Sequence, residues 1–145
     1  MLRITVNTSS AGATRYYSEG LSRQDYYSEK GEIIGNWGGK VAEKFGLSGQ
    51  VSKDEFEALC YNAHPTTGEQ LTARNVDGRR VGYDFTFDVP KSVSIAYTQT
   101  EDKDILHSFR SAVSETMSLI EKDAQTRVRV GGAFENRDTG NLIWG

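Results

Sequence analysis

The chain has 145 residues, a formal net charge of −3 and a charged fraction of 26%, values that are typical of one soluble globular domain. The single cysteine, Cys60, excludes an internal disulfide, and the two histidines, His64 and His107, form no clustered metal signature. The negative charge excludes a broad basic surface, so any nucleic-acid role must rest on a local patch. No segment approaches the roughly 20 apolar residues of a membrane span, which predicts a cytoplasmic protein with no membrane partner.

The first element is a strand, because Leu2, Ile4 and Val6 alternate with polar residues. Ser9 and Ser10 follow and are expected to cap a short helix.

Two tyrosine pairs come next, Tyr16-Tyr17 and Tyr26-Tyr27, which start ten positions apart on either side of Gly20. Aromatic pairs usually supply core area, but a segment this polar can bury only one narrow face. A break at Gly20, with a capping-box pattern at Ser22–Asp25, can fold both pairs toward one site. A phenol with a pKa near 10 is a poor nucleophile unless a base, a cation or a metal assists it.

Two helices are predicted in the next part of the chain. Gly46 is expected to end a short amphipathic helix that carries Val41, Ala42 and Phe45. A capping box at Ser52–Glu55 begins the second helix, whose buried face comprises Phe56, Leu59, Cys60 and Ala63. A polar loop with three arginines, Arg74 among them, then runs from Pro65 to Arg80.

Alternation of apolar and polar residues predicts strands on both sides of a turn at Pro90-Lys91-Ser92. The first strand, Gly82–Asp88, places Asp84 and Thr86 on its polar face, and aspartate is depleted in strands. The second is expected over Ser92–Tyr97.

The last third of the chain is predicted to contain one long helix and two strands. Apolar residues at helical spacing indicate an amphipathic helix over Asp102–Asp123. A strand is expected over Thr126–Phe134, a hairpin turn over Asn136–Gly140, and a return strand from Asn141 that ends unfinished at Gly145. The expected class is therefore α+β, an antiparallel sheet with helices packed on it, and the open edge predicts a dimer.

Several ordered motifs resemble the relaxase domain of the TrwC/TraI (MobF) conjugative relaxases. They are the N-terminal strand, both tyrosine pairs, and three segments that span residues 37–49, 82–94 and 139–142. The resemblance covers the whole chain. It implies a relaxase fold of the HUH-endonuclease type, with residues 1–145 forming its N-terminal portion, truncated before the strand that carries the family's histidine cluster.

The resemblance also implies an activity. A tyrosine hydroxyl attacks single-stranded DNA at an origin of transfer and forms a 5′-phosphotyrosine. Tyr16 matches the first nucleophile, Tyr17 is its neighbour, Tyr26 or Tyr27 supplies the second transfer, and Asp84 orients or deprotonates a catalytic group. Arg15, Arg74 and Lys91 are the expected DNA-binding residues.

The resemblance further implies a divalent metal, Mg²⁺ or Mn²⁺, in the complete domain, and relaxosome and type IV secretion proteins as partners. The histidine cluster has no match in this sequence, so the chain alone is expected to bind no metal and to be inactive. Two alternatives stay open: a rolling-circle replication initiator, and a non-catalytic module that binds single-stranded DNA or protein.

Overall fold

A computed structural model describes residues 1–15, 35–73, 75–76 and 78–145. The chain divides into two compact units. The first comprises Met1–Arg3 and Phe85–Leu142, and the second comprises Ile4–Asp84 and Ile143–Gly145.

Strands β1 (Leu2–Asn7) and β2 (Gly82–Phe87) form a two-stranded sheet. The Val81 amide donates to the Asn7 carbonyl and the Asp88 amide to the Met1 carbonyl, each over 2.8 Å. Opposite ends of the two strands therefore meet, and the strands are antiparallel. Both strands lie where the alternation predicted them.

Three helical elements of the second unit begin and end at the expected signals. Helix α1 is helical over residues 10–15, and its first turn is capped by Ser9, whose Oγ accepts from the Gly12 amide over 3.0 Å. Helix α2 (Lys40–Phe45) ends at Gly46, which has a left-handed φ of 70°. Helix α3 (Lys53–Cys60) carries the predicted capping box between Ser52 and Glu55.

Among the described residues of this unit, six are buried: Ala13, Ala42, Leu47, Val51, Cys60 and Asn62. Asn62 is buried because its side chain replaces backbone partners. It accepts from the Thr72 amide over 3.1 Å and donates to the Thr72 carbonyl over 2.9 Å. This pair of bonds fixes the start of the loop that follows α3.

Helix α4 (Lys91–Thr100) occupies the position where a strand over Ser92–Tyr97 was predicted, so that prediction is wrong. Val93 and Ala96 are half-buried, whereas Ile95 and Tyr97 are exposed, which is a helical spacing of the partly buried residues. The Pro90 carbonyl accepts from the Val93 amide over 2.9 Å, so the proline precedes the first turn instead of sitting in a turn between strands.

Helix α5 (Lys103–Lys122) confirms the predicted long helix. Asp102 caps it, since its carboxylate accepts from the Asp104 amide over 2.9 Å. Its apolar stripe and the Met1–Leu2 and Phe87–Pro90 segments line a cavity of about 320 Å³. Met117 and Glu121 are the buried residues of α5. The Glu121 carboxylate accepts from the Leu142 amide over 3.3 Å.

Strands β3 (Gln125–Val130) and β4 (Ala133–Asp138) form an antiparallel hairpin around Gly131-Gly132. The predicted single strand over Thr126–Phe134 and the predicted turn over Asn136–Gly140 are therefore wrong. The predicted return strand from Asn141 is also wrong, because within the described ranges this segment makes only an isolated bridge between Trp144 and Gly38. The α+β class is confirmed, but the described strands form two two-stranded sheets and no five-stranded one.

Candidate functional site

The four predicted catalytic tyrosines, Tyr16, Tyr17, Tyr26 and Tyr27, lie outside the described residues, as does Arg74. Arg15 is the last described residue before them and is exposed at the end of α1. Asp84 lies in the middle of β2 and is half-buried, and Lys91 is the exposed first residue of α4. The expected role of Asp84, to orient or deprotonate a catalytic group, therefore stays a prediction.

The helical turn that leads into Tyr16 is anchored on two sides. Ser9 caps its start, where its carbonyl also accepts from the Ala13 amide over 2.9 Å. Ala13 is 8% exposed, and Thr14 lies beside the Cys60 thiol at the end of α3. The backbone immediately before the predicted nucleophile is thus held by a cap and by packing on a neighbouring helix.

Cys60, which is buried at the end of α3, belongs to this anchor. Burial raises the pKa of its thiol, and the neighbouring Thr14 hydroxyl and Arg79 guanidinium oppose that rise. A buried thiol with a raised pKa is a weak nucleophile. The Arg79 guanidinium also donates to the Cys60 carbonyl, which ties the arginine-containing loop to the end of α3.

Arg80 and Tyr83 form a contact next to Asp84 that the sequence did not predict. The Arg80 Nη1 donates to the Tyr83 hydroxyl over 2.6 Å, and its guanidinium carbon lies 5.3 Å from the ring centroid. Tyr83 is 48% exposed, so the predicted apolar face of β2 is open to solvent at this end.

The two histidines, His64 and His107, lie in different surroundings. The His64 ring lies 4.4 Å from the Phe45 ring, centroid to centroid. Its Nδ1 accepts from the Thr66 and Thr67 amides over 3.2 and 3.3 Å. His107 is exposed on α5.

The described residues contain no cluster of side chains suited to a metal ion. In residues 1–15, 35–73, 75–76 and 78–145, no group of three His, Cys, Asp or Glu side chains could hold a metal ion. A divalent cation needs several oxygen or nitrogen ligands at once. The described residues therefore do not fit a metal centre by themselves. None of the helices in this part of the chain is both long and apolar enough to cross a membrane.

Two known proteins with the same name are similar to this chain over almost its whole length. Two multifunctional conjugation proteins named TraI, from Escherichia coli and from its strain K12, are 37% and 34% identical over 146 and 144 residues. The alignments cover 99% of this chain but 8% of those proteins.

Solved structures of the conjugative relaxase TrwC in complex with oriT DNA are also similar. One is 34% identical with a TM-score of 0.77. Another, described as metal-bound, is 32% identical with a TM-score of 0.77. Each comparison covers 99% of this chain and about half of the solved chain.

The TrwC relaxase family matches residues 10–145, which is nearly the whole sequence. The α+β class and the order of motifs agree with it. The chain therefore belongs to the TrwC relaxase family.

Proposed function

We propose that residues 1–145 are the tyrosine-bearing portion of a conjugative relaxase domain that nicks single-stranded DNA at an origin of transfer. One observation carries the proposal: a capped and packed helical turn leads directly into Tyr16, in a chain 34% identical to a relaxase in complex with oriT DNA. A nucleophilic side chain is better oriented for attack when the backbone that carries it is already fixed.

In the proposed reaction the Tyr16 hydroxyl attacks the scissile phosphorus. The new bond joins the tyrosine oxygen to the 5′ phosphate, and the bond between phosphorus and the 3′ oxygen breaks. The phenol gives up its proton, and the departing 3′ oxygen gains one, so a free 3′-hydroxyl remains. Tyr26 or Tyr27 then makes the same attack at a second scissile phosphate and releases a second 3′-hydroxyl. That hydroxyl displaces the Tyr16 oxygen from the first phosphate, which joins the DNA ends and returns the proton to the Tyr16 phenol.

Deprotonating the nucleophile is the costly part of this step. With a pKa near 10, an unassisted phenol needs about 4 kcal/mol to ionise at neutral pH. Asp84 is the proposed helper, either by taking the proton or by orienting the group that does. Its half-buried position in β2 favours a fixed carboxylate. Tyr17 is the alternative nucleophile, one residue away.

Arg15, Arg74 and Lys91 are the proposed contacts to the DNA backbone. Arg15 is exposed next to the nucleophile, and its guanidinium can donate to two phosphate oxygens at once. Lys91 is exposed at the start of α4 and offers a point charge to phosphate. Because phosphate contacts position a strand without reading its sequence, these residues do not determine which origin is recognised.

The complete domain is proposed to use Mg²⁺ or Mn²⁺, in line with the solved relative described as metal-bound. Such a cation would offset charge at the scissile phosphate. Among the described residues, no group of His, Cys, Asp or Glu side chains could hold such a cation.

Relaxosome and type IV secretion proteins are the proposed partners, in the cytoplasm. The dimer predicted through an open edge at Asn141–Gly145 is not proposed, because Trp144 exchanges backbone hydrogen bonds of 2.9 and 3.0 Å with Gly38.

The experiment joins this chain to the second half of the solved TrwC relaxase and incubates the fusion with an oriT oligonucleotide. The fusion is expected to form a covalent protein–DNA band. Tyr16→Phe should abolish that band and leave binding nearly unchanged, because only one hydroxyl is lost. Tyr26→Phe should keep the first nick and reduce the second transfer.

Tyr17→Phe is the matched control, since it removes the same atom from the adjacent residue. It should form the adduct at close to the parent's rate. An adduct that survives Tyr16→Phe but not Tyr17→Phe would transfer the role to Tyr17. A parent fusion that binds the oligonucleotide without ever forming an adduct would contradict the proposal and favour a non-catalytic binding module.

A further inference from the structure

One face of the β3–β4 hairpin combines arginines with an exposed aromatic ring. The register pairs Arg129 with Phe134 and Arg127 with Asn136. Because side chains alternate between the faces of a strand, these four residues project from the same side. We call Arg127, Arg129, Phe134 and Asn136 the arginine face.

The arginine face has a layered geometry. The guanidinium carbons of Arg127 and Arg129 lie 5.5 and 5.9 Å from the centroid of the Phe134 ring, within the range of cation–π attraction. Phe134 is 67% exposed, and both arginines are exposed. The ring is therefore presented to solvent beside two cations instead of being buried under the strand.

The charge on this face is locally positive although the chain carries −3 overall. Its nearest carboxylate, Asp138, lies at the open end of the hairpin and accepts from the Gln125 amide nitrogen over 2.6 Å. The remaining acidic residue of the hairpin, Glu135, is paired with Val128 and so projects from the opposite face. The two guanidinium groups thus meet no carboxylate from the middle of their own hairpin face.

We propose that the arginine face binds single-stranded DNA, with an unpaired base stacked on the Phe134–arginine layer and the guanidinium groups bound to adjacent phosphates. An aromatic surface recognises the flat face of any base, and an arginine recognises phosphate. Nucleic acid supplies an anion and a π-face in one ligand. This inference rests on the proposed function, since it gives the same substrate a second contact surface away from the tyrosines.

A single strand fits this surface better than a duplex does. Stacking on an aromatic side chain needs a base whose face is free, and the bases of a duplex are already stacked on each other. The arginine face offers two guanidinium groups that bind phosphate and one amide side chain, that of Asn136. It is therefore expected to bind without strong sequence preference.

The test measures binding of the 145-residue chain to a fluorescent oligo(dT) of about 12 nucleotides, within the length one binding surface covers. The assay contains EDTA, so that no metal-dependent step contributes. Phe134→Leu keeps the apolar side chain and removes the ring, and should weaken binding at least about fivefold. Phe134→Trp should bind at least as tightly as the parent.

Arg129→Gln should also weaken binding and lower the slope of log affinity against log salt by about 0.7, the value for one lost phosphate contact on a single strand. Arg137→Gln is the matched control: it makes the same charge change on the same hairpin but opposite Thr126, on the other face. It should leave affinity and slope close to those of the parent. Amide NMR spectra of each variant verify that the hairpin has formed.

Four outcomes would overturn the inference: no oligo(dT) binding by the parent, equal binding by Phe134→Leu, equal effects of Arg129→Gln and Arg137→Gln, or equal competition by a duplex of the same length. Loss of a dimer in Phe134→Ala, seen by light scattering, would do so too, because the face would then bind a second copy.

The proposed nicking activity is tested separately by the covalent adduct. If the fusion forms no adduct but the variants change oligo(dT) binding as expected, only the nicking activity is rejected. If the adduct forms normally but Phe134→Leu does not weaken oligo(dT) binding, only the arginine face is rejected.

Discussion

Glu55 joins Trp37 to helix α3. Its carboxylate accepts from the Trp37 indole nitrogen over 2.8 Å and from the Ser52 amide over 3.4 Å. The Trp37 bond is the largest cause that lowers the pKa of Glu55, and the Ser52 bonds lower it further against the opposing effect of burial. One side chain thereby completes a helix cap and fixes a tryptophan.

Trp37→Phe should raise the pKa of Glu55 back toward its ordinary value, because the main donor to the carboxylate is lost. A carboxylate with a lowered folded-state pKa stabilises the fold above its unfolded pKa, and that contribution disappears as the pH falls through the folded pKa. The stability difference between parent and variant should therefore shrink on acidification. An NMR titration of the Glu55 side-chain carbon gives the pKa directly, and an unchanged value in the variant would contradict this assignment.

The Trp144 indole lies so close to Gly38 that position 38 has no room for a side chain. A Cβ at this position would lie 2.4 Å from the Trp144 Nε1 and 2.7 Å from its Cε2, which is too short for any contact. Gly38→Ala should therefore displace the indole and lower the free energy of unfolding by about 1–3 kcal/mol. Gly82→Ala is the control, since a Cβ there meets nothing within 4 Å. Chemical denaturation followed by tryptophan fluorescence distinguishes them, and equal losses would contradict the steric explanation.

At the scale of elements, the β3–β4 hairpin depends on two glycines with positive φ. Gly131 and Gly132 have φ of 58° and 89°, the pattern of a type I′ turn that matches the twist of the flanking strands. Gly131→Asn should be tolerated, because asparagine adopts this region, whereas Gly132→Val should destabilise the hairpin by about 1–2 kcal/mol. Hydrogen exchange at the β3 amides provides the measurement. Equal protection in both variants would show that the turn does not need its glycine.

Elements with an explicit local signal were predicted from the sequence, and those with two compatible patterns were not. Helix α3 has a capping box and α5 has a long apolar stripe capped by Asp102. Helix α4 was missed because Val93 fits an alternating pattern with Ile95 and a helical pattern with Ala96 equally well. The hairpin was misplaced because alternation continues through Gly131-Gly132, and the turn residues at 136–140 gave a competing signal.

At the scale of the whole molecule, the candidate site was predicted as residue types and not as contacts. Motif order identified the tyrosines and Asp84, but their mutual geometry depends on residues outside the described ranges. The contact of Arg129 with Phe134 escaped prediction for another reason. Cross-strand contacts depend on register, and a misplaced turn changes every pair in a hairpin.

The proposed relaxase reaction takes its nucleophile from this chain. Mass spectrometry can identify the peptide that carries the 5′-phosphate after the fused domain has reacted with an oriT oligonucleotide in Mg²⁺ or Mn²⁺. We expect the modification on Tyr16, and no adduct from the 145-residue chain alone, because the described residues hold no metal-ligand group. A modified peptide that lacks Tyr16, or an adduct formed by the chain alone, would show that the nucleophile or its metal requirement is assigned wrongly.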